Sequence, residues 1–182
     1  MAVIGIYSPG AMGSTLAYSC SLMGHKTIWA SEGRSEKTII RAKKFGIEDV
    51  VSLKNLLEKS DFIFSIASNF DAFEFAQVVG LSGFKGIYVD FNTMYTDTDG
   101  SELENILAQN NIRYTEGALR GWPIKEPGEV NTSEKTMYLS GPYADSVKEL
   151  FGGFWRIRTL PKSAKLLNRV LAEEMAILYG QS

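Results

Sequence analysis

Short, unbroken apolar runs alternate along this chain with longer stretches whose apolar residues recur at helical spacing. "AVIGI" (residues 2–6), "FIFSI" (Phe62 to Ile66) and "GIYVDF" (Gly86 to Phe91) are of the first kind, the pattern of parallel strands buried on both faces. From Met12 an apolar stripe passes through Leu16, Cys20 and Met23 and stops at Gly24, a residue suited to close a helix. "HKTIWAS" (His25 to Ser31) reads as the second strand, Ser35 to Phe45 as a helix, and Glu48 to Val51 as a short strand. Ser52 is placed to cap the helix "LKNLLEK", and Asn69 to cap "FDAFEFAQVV". Asp97 to Asn110 is a further helix and "IRYTEG" a further strand. This order predicts an α/β fold with a doubly wound, mostly parallel sheet.

The later part continues with "KTMYLSG" as strand, "PYADSVKELFG" as helix and "WRIRTL" as strand. A C-terminal helix is expected from about Ser163 to Tyr179. Residues 1–161 then form one domain and 162–182 a connecting helix. That helix carries a wide apolar band, including Leu166, Leu167, Val170, Leu171 and Met175. Such a band covers the sheet, a further domain or a second subunit, and a homodimer formed through it is expected. "RGWPIKEPGEVNTSEK" (Arg120 to Lys135) is longer than a routine turn and is a candidate active-site lid.

Composition narrows the class. With 182 residues, 45% hydrophobic and 22% charged, the chain can bury a core of its own. A net charge of −2 gives no polyanion-binding surface, so no nucleic acid partner is expected. The lone Cys20 forms no internal disulfide, which fits a reducing cytoplasm. Met1 to Gly24 holds no charged residue, but Gly5, Ser8, Pro9, Gly10 and Gly13 interrupt its apolar run. It reads as strand, turn and helix rather than leader or membrane span. The single His25 excludes a multi-histidine metal site and reads as structural.

The candidate chemistry starts at "YSPGAMGS", directly behind the first strand. It is a G-x-G-x-x-G dinucleotide loop with Ser8 in the first glycine position and Gly10 and Gly13 in the second and third. The second glycine lets backbone amides approach a pyrophosphate, and the third lets helix and strand pack closely. Ser8 serves if its backbone stays in an allowed region, with Pro9 fixing the next φ. On the loop alone an ordinary strand-to-helix turn stands beside the phosphate-loop reading. The end of the second strand adds "SEGRS": Arg34 can fork onto a ribose 2′-phosphate, with Gly33 and Ser35 beside it, whereas Glu32 suits a ribose hydroxyl. The balance favours NADP over NAD. Ala67, Ser68 and Asn69 after the "FIFSI" strand, and Asn92 after "VDF", lie where such folds collect their ligands.

Together these segments resemble the β-hydroxyacid dehydrogenase superfamily, most closely its small archaeal and bacterial 6-phosphogluconate-dehydrogenase-like branch. The resemblance rests on "SPGAMG", "EGRS", "GIYVDFNT" and "EGALRGWP", and runs from Val3 to about Ala172. It implies a Rossmann-type domain, with NADP held by Ser8, Pro9, Gly10, Ala11, Met12 and Gly13 and by the later strand ends. It also implies hydride transfer to or from a small hydroxy acid or related carbonyl. Lys165 then stands where the family places its general acid/base, with Asn168 near the substrate. Arg120 and Gly121 fall on the family's substrate segment, where Arg120 is either a partner for a substrate carboxylate or phosphate, or a surface arginine. Asn168 comes at +3 from the lysine rather than +4, and "RTLPKS" replaces a glycine-rich lead-in. Relatives continue into an all-helical domain. An end at Ser182 is expected of a fragment or of a reduced protein. A non-catalytic NADP-binding module and an imine- or pyrroline-reductase-like enzyme are the alternatives.

Overall fold

Strand order reverses at β1, and that reversal places the site. In the computed structural model, residues 1–67, 69–93, 97–129, 134–161 and 164 are described, with positions 69, 70 and 97–100 for their backbone alone. Strands β1 (Val3–Ile6), β2 (Lys26–Trp29), β3 (Glu48–Asp49), β4 (Phe62–Ser65), β5 (Ile87–Asp90) and β6 (Arg113–Arg120) are parallel. β7 (Thr136–Ser140) pairs antiparallel with β6, and β8 (Arg156–Leu160) pairs parallel with β7. The eight-stranded order is β3-β2-β1-β4-β5-β6-β7-β8. The chain steps outward from β1 to β3, then returns to β1's other side with β4, which opens a crevice at the carboxyl ends of β1 and β4.

Helices α1 (Ala11–Ser21), α2 (Glu36–Lys44) and α6 (Ala144–Lys148) lie on one face, and α3 (Leu53–Lys59), α4 (Asn69–Ser82) and α5 (Asp97–Gln109) on the other. Alternation within the strands feeds both layers. Ile4 and Ile6 pack with Leu16, Cys20 and Ala42, while Ile63 and Tyr88 pack with Phe75, Ala76 and Leu103. Strands apolar on both faces are thus buried on both faces. Ser35 and Ser52 cap α2 and α3, each accepting an N–H from three residues on.

Several boundaries differ from expectation. α1 ends at Ser21, so Met23 falls in the following turn and is half exposed, with Gly24 closing the turn at φ 78°. The buried surface of α1 is also wider than an apolar stripe, because Ser14, Thr15 and Ser19 are buried with it. Their hydroxyls bond to carbonyls of Pro9, Ala11 and Thr15, which removes most of the cost of burying them. The indole N–H of Trp155 donates to Ser19 Oγ at 2.9 Å, tying the start of β8 to α1. β3 and α6 are shorter than expected; β3 stops before Val51, which takes a positive φ of 69°. β6 is longer and runs through Arg120.

The described part of the candidate lid forms a strap over the helix layer. The Ile124 N–H donates to Thr15 Oγ1 at 3.1 Å, and the Gly128 N–H to the Tyr18 hydroxyl at 2.8 Å. Lys44 of α2 pairs with Glu126. These contacts fasten the segment along the helix layer. The segment expected to form a C-terminal helix, with Lys165 and Asn168, lies outside the described residues apart from Ala164, which is buried.

Candidate functional site

The loop after β1 turns without a left-handed residue at Ser8; among the described residues only Val51 and Asn111 are non-glycines with positive φ. The Gly10 N–H reaches back to the Ser8 carbonyl at 2.8 Å, closing a tight turn around Pro9. Serine therefore serves in the first position because the turn needs no special φ there. Gly10 is the N-cap of α1, in an extended conformation (φ −66°, ψ −169°). A Cβ built on Gly10 would meet nothing within 4 Å, whereas one on Gly13 would stand 2.3 Å from the Ser8 carbonyl oxygen. The second glycine thus keeps the helix end open, and the third lets the helix lie against the loop.

No side chain caps α1, and its first turn holds no acidic residue. The amides of Ala11, Met12 and Gly13, at the helix start, have no intrahelical acceptor. The positive end of the helix is therefore left without a protein anion, which suits a phosphate group.

Arg34 closes the other side. Its Nη2 donates to the Tyr7 carbonyl at 3.2 Å, and its guanidinium carbon stands 4.7 Å over the Tyr7 ring. The two halves of the expected fingerprint, 27 residues apart in sequence, are thus joined by a direct bond. Tyr7, Gly33 and Arg34 line a cavity of about 220 Å3 with Ala30, Glu32, Leu53 and Leu56. Glu32 is exposed at its rim. Ser35 has a local task as the cap of α2, accepting the Thr38 N–H and bonding the Thr38 hydroxyl. A larger cavity of about 670 Å3 lies beside Leu57, Val78, Leu81 and Phe84 at the amino ends of β4 and β5, and gathers no residue of the loop.

At the carboxyl ends of the middle strands a polar row crosses the sheet in register: Ser65, Asp90, Glu116 and Ser140. Asn92 holds its near end. Its Nδ2 donates to Asp90 Oδ1 at 2.6 Å and to Ser65 Oγ at 2.9 Å, and its Oδ1 accepts the Ala67 N–H at 2.6 Å. Asn92 is buried, so its side chain fixes the β4–α4 turn. At the far end Ser140 Oγ donates to Glu116 Oε2 at 3.1 Å and accepts the Ala164 N–H at 2.9 Å. Buried Tyr88 and half-buried Tyr114 share this face. Burial, reinforced by the Asp90 carboxylate, pushes both Tyr88 and Tyr114 well above the ordinary tyrosine range. Burial likewise pushes the Cys20 thiol up, so it packs as an inert hydrophobe.

The structure thus brings Gly33 and Arg34 to Tyr7, the residue just ahead of the Ser8 to Gly13 loop, and bonds Asn92 to Ala67 after the next strand. Ser68, Lys165 and Asn168 lie outside the described residues, as does the Asn69 side chain. Arg120 is exposed at the tip of β6 opposite Thr136, and Gly121 follows with φ 122°. Tyr7 and Phe75 went unnoticed in the sequence, since each reads there as ordinary core. Glu116 did too; its one signal was a carboxylate in an otherwise uncharged stretch of "TEGAL".

No family model matches the sequence. Among curated proteins, a 63-residue stretch is 41% identical to an uncharacterized 28.5 kDa protein of Methanothermus fervidus, covering 35% of this chain and 25% of that one. Among solved structures, a conserved protein of unknown function with structural similarity to 3-hydroxyacid dehydrogenases superposes with a TM-score of 0.78 at 20% identity. That match covers 94% of this chain and 64% of the other. An imine reductase of Myxococcus stipitatus in complex with NADP+ matches with a TM-score of 0.75 at 20% identity, covering 100% and 63%. The 3-hydroxyisobutyrate dehydrogenase of Mycobacterium tuberculosis gives 0.75 at 11% identity, covering 97% and 60%. The chain therefore spans less than two thirds of the length of these solved relatives. Among the described residues no helix is long and apolar enough to cross a membrane. The chain has a Rossmann-like α/β fold, which it shares with these solved proteins.

Proposed function

We propose that this chain binds NADP(H) and serves an oxidoreductase of the β-hydroxyacid dehydrogenase type. The carrying observation is the joining of an uncapped, acid-free α1 N-terminus to Arg34 through Tyr7. The amides of Ala11 to Gly13 receive the pyrophosphate, with Gly10 leaving room for its approach. Arg34 receives the 2′-phosphate, and the cavity it lines with Ala30, Leu53 and Leu56 takes the adenosine end. Several structural neighbours were solved with a nicotinamide nucleotide, one reductase with NADP+ and a variant of it with NAD+.

The nicotinamide, when bound, supplies or accepts the hydride. Lys165, adjoining Ala164 in sequence, holds or returns the proton of the substrate's alcohol oxygen in this reading. Arg120 pairs with a substrate carboxylate. A small hydroxy acid, its carbonyl or a related imine is the substrate class. Self-association through residues 162–182, in the cytoplasm, completes the proposal; a strictly monomeric mass by light scattering at high concentration overturns that part.

Calorimetric titration tests the cofactor assignment. NADPH should bind more tightly than NADH, and Arg34→Ala should erase the difference; equal affinities for the parent chain refute it. Full turnover by Lys165→Ala on a hydroxy-acid and imine panel refutes the acid/base role.

A further inference from the structure

Arg34 does not stand alone at the nucleotide cavity. The Tyr7 ring below it is stacked on Phe75, with ring centroids 3.6 Å apart and planes within 6° of parallel. A ring stacked that closely takes up one whole face of Tyr7. The guanidinium 4.7 Å over Tyr7 therefore occupies the other face. Phe75 belongs to α4, is fully buried, and packs in turn against Tyr88 of β5 at 5.8 Å. The pedestal beneath Arg34 is thus anchored in the core across two elements.

We propose that Tyr7 is the positioning residue that sets nucleotide selectivity, its ring fixing the Arg34 guanidinium at the cavity before a 2′-phosphate arrives. This rests on the reading that Arg34 meets that phosphate. Arginine on an exposed turn samples many rotamers, and ordering it on binding subtracts from affinity. Here a cation–π contact and the Tyr7 carbonyl hold it in advance. The carbonyl contact belongs to the backbone and persists whatever side chain occupies position 7. Only the ring contact depends on residue type. A ribose hydroxyl gains little from a fixed guanidinium, whereas a dianionic phosphate gains a charged, forked partner. The ring should therefore act more strongly on NADPH than on NADH.

The test measures NADPH and NADH affinities by titration calorimetry for the parent chain, Arg34→Ala, Tyr7→Leu, Tyr7→Phe and the Tyr7→Leu/Arg34→Ala double variant. Tyr7→Leu should weaken NADPH about tenfold more than it weakens NADH, the size of a well-formed cation–π contact. Tyr7→Phe should keep the selectivity, and Tyr7→Leu should take no further selectivity once Arg34 is gone. Should Tyr7→Leu not fold, fluorinated phenylalanines at position 7 drain the ring face without changing its shape. NADPH affinity should then fall stepwise with each fluorine. A flat fluorine series, or a Tyr7→Leu variant that retains the NADPH preference while Arg34→Ala loses it, overturns the role of Tyr7 and leaves the Arg34 assignment standing. A parent chain without NADPH preference overturns both.

Discussion

Gly13 lies against the Ser8 carbonyl so closely that a methyl group on it would come within 2.3 Å of that oxygen. Gly10, three residues earlier, faces open space. The two glycines of one loop therefore do separable things. Gly13→Ala should destabilise the fold by roughly 1–3 kcal/mol, the usual cost of forcing a group into a packed backbone contact. Gly10→Ala should change stability by only about 0.5 kcal/mol, since its φ suits alanine, yet should weaken nucleotide binding. Urea denaturation and nucleotide titration of both variants check the split; equal losses of stability would contradict it.

Tyr88 buries its hydroxyl without a partner of good geometry among the described residues, the Ser65 hydroxyl lying alongside. Tyr88→Phe removes that orphan and should be neutral or stabilising by about 1 kcal/mol. The same burial favours the neutral phenol in the folded state. Its share of stability is then full below the unfolded value of about 10 and is lost as pH rises toward the raised folded value. Urea midpoints at neutral and alkaline pH should diverge less for Tyr88→Phe than for the parent chain.

His25 accepts the Ala2 N–H on Nδ1 at 3.1 Å, so the folded chain favours neutral imidazole. Partial burial, and secondarily the N-terminal ammonium, lowers its pKa. Stability from this bond is full above the unfolded value of about 6.5 and declines as pH falls through the lowered folded value. As the only histidine, it gives one resolvable imidazole titration by NMR. A midpoint above 6.5 would refute this. The acid-side loss of stability should shrink in His25→Gln.

Ser19 holds the Trp155 indole N–H inside the helix layer. Ser19→Ala should cost about 1–3 kcal/mol because a buried donor loses its acceptor. Thermal unfolding followed by tryptophan fluorescence reads the change. A double variant with Trp155→Phe should lose less than the sum of the two single losses.

Much of this molecule was written in the order of its residues. Continuous apolar runs require burial on both faces, so "FIFSI" and "GIYVDF" are central strands in any packing that works. Glycine spacing and the serine caps act within a few residues, so the loop after β1 and the starts of α2 and α3 were legible too. Arg34 was legible as a residue type near a strand end, because strand ends collect ligands in such sheets. Tertiary structure alone decided what holds Arg34. Tyr7 and Phe75 are 68 positions apart and meet only because the fold brings α4 against the residue that follows β1. The buried serines of α1 and the strap over it were decided the same way. A hydroxyl reads as exposed until a distant Trp155 or Ile124 arrives to share its bond. Periodicity measures where a residue points; only the completed packing supplies what it meets there.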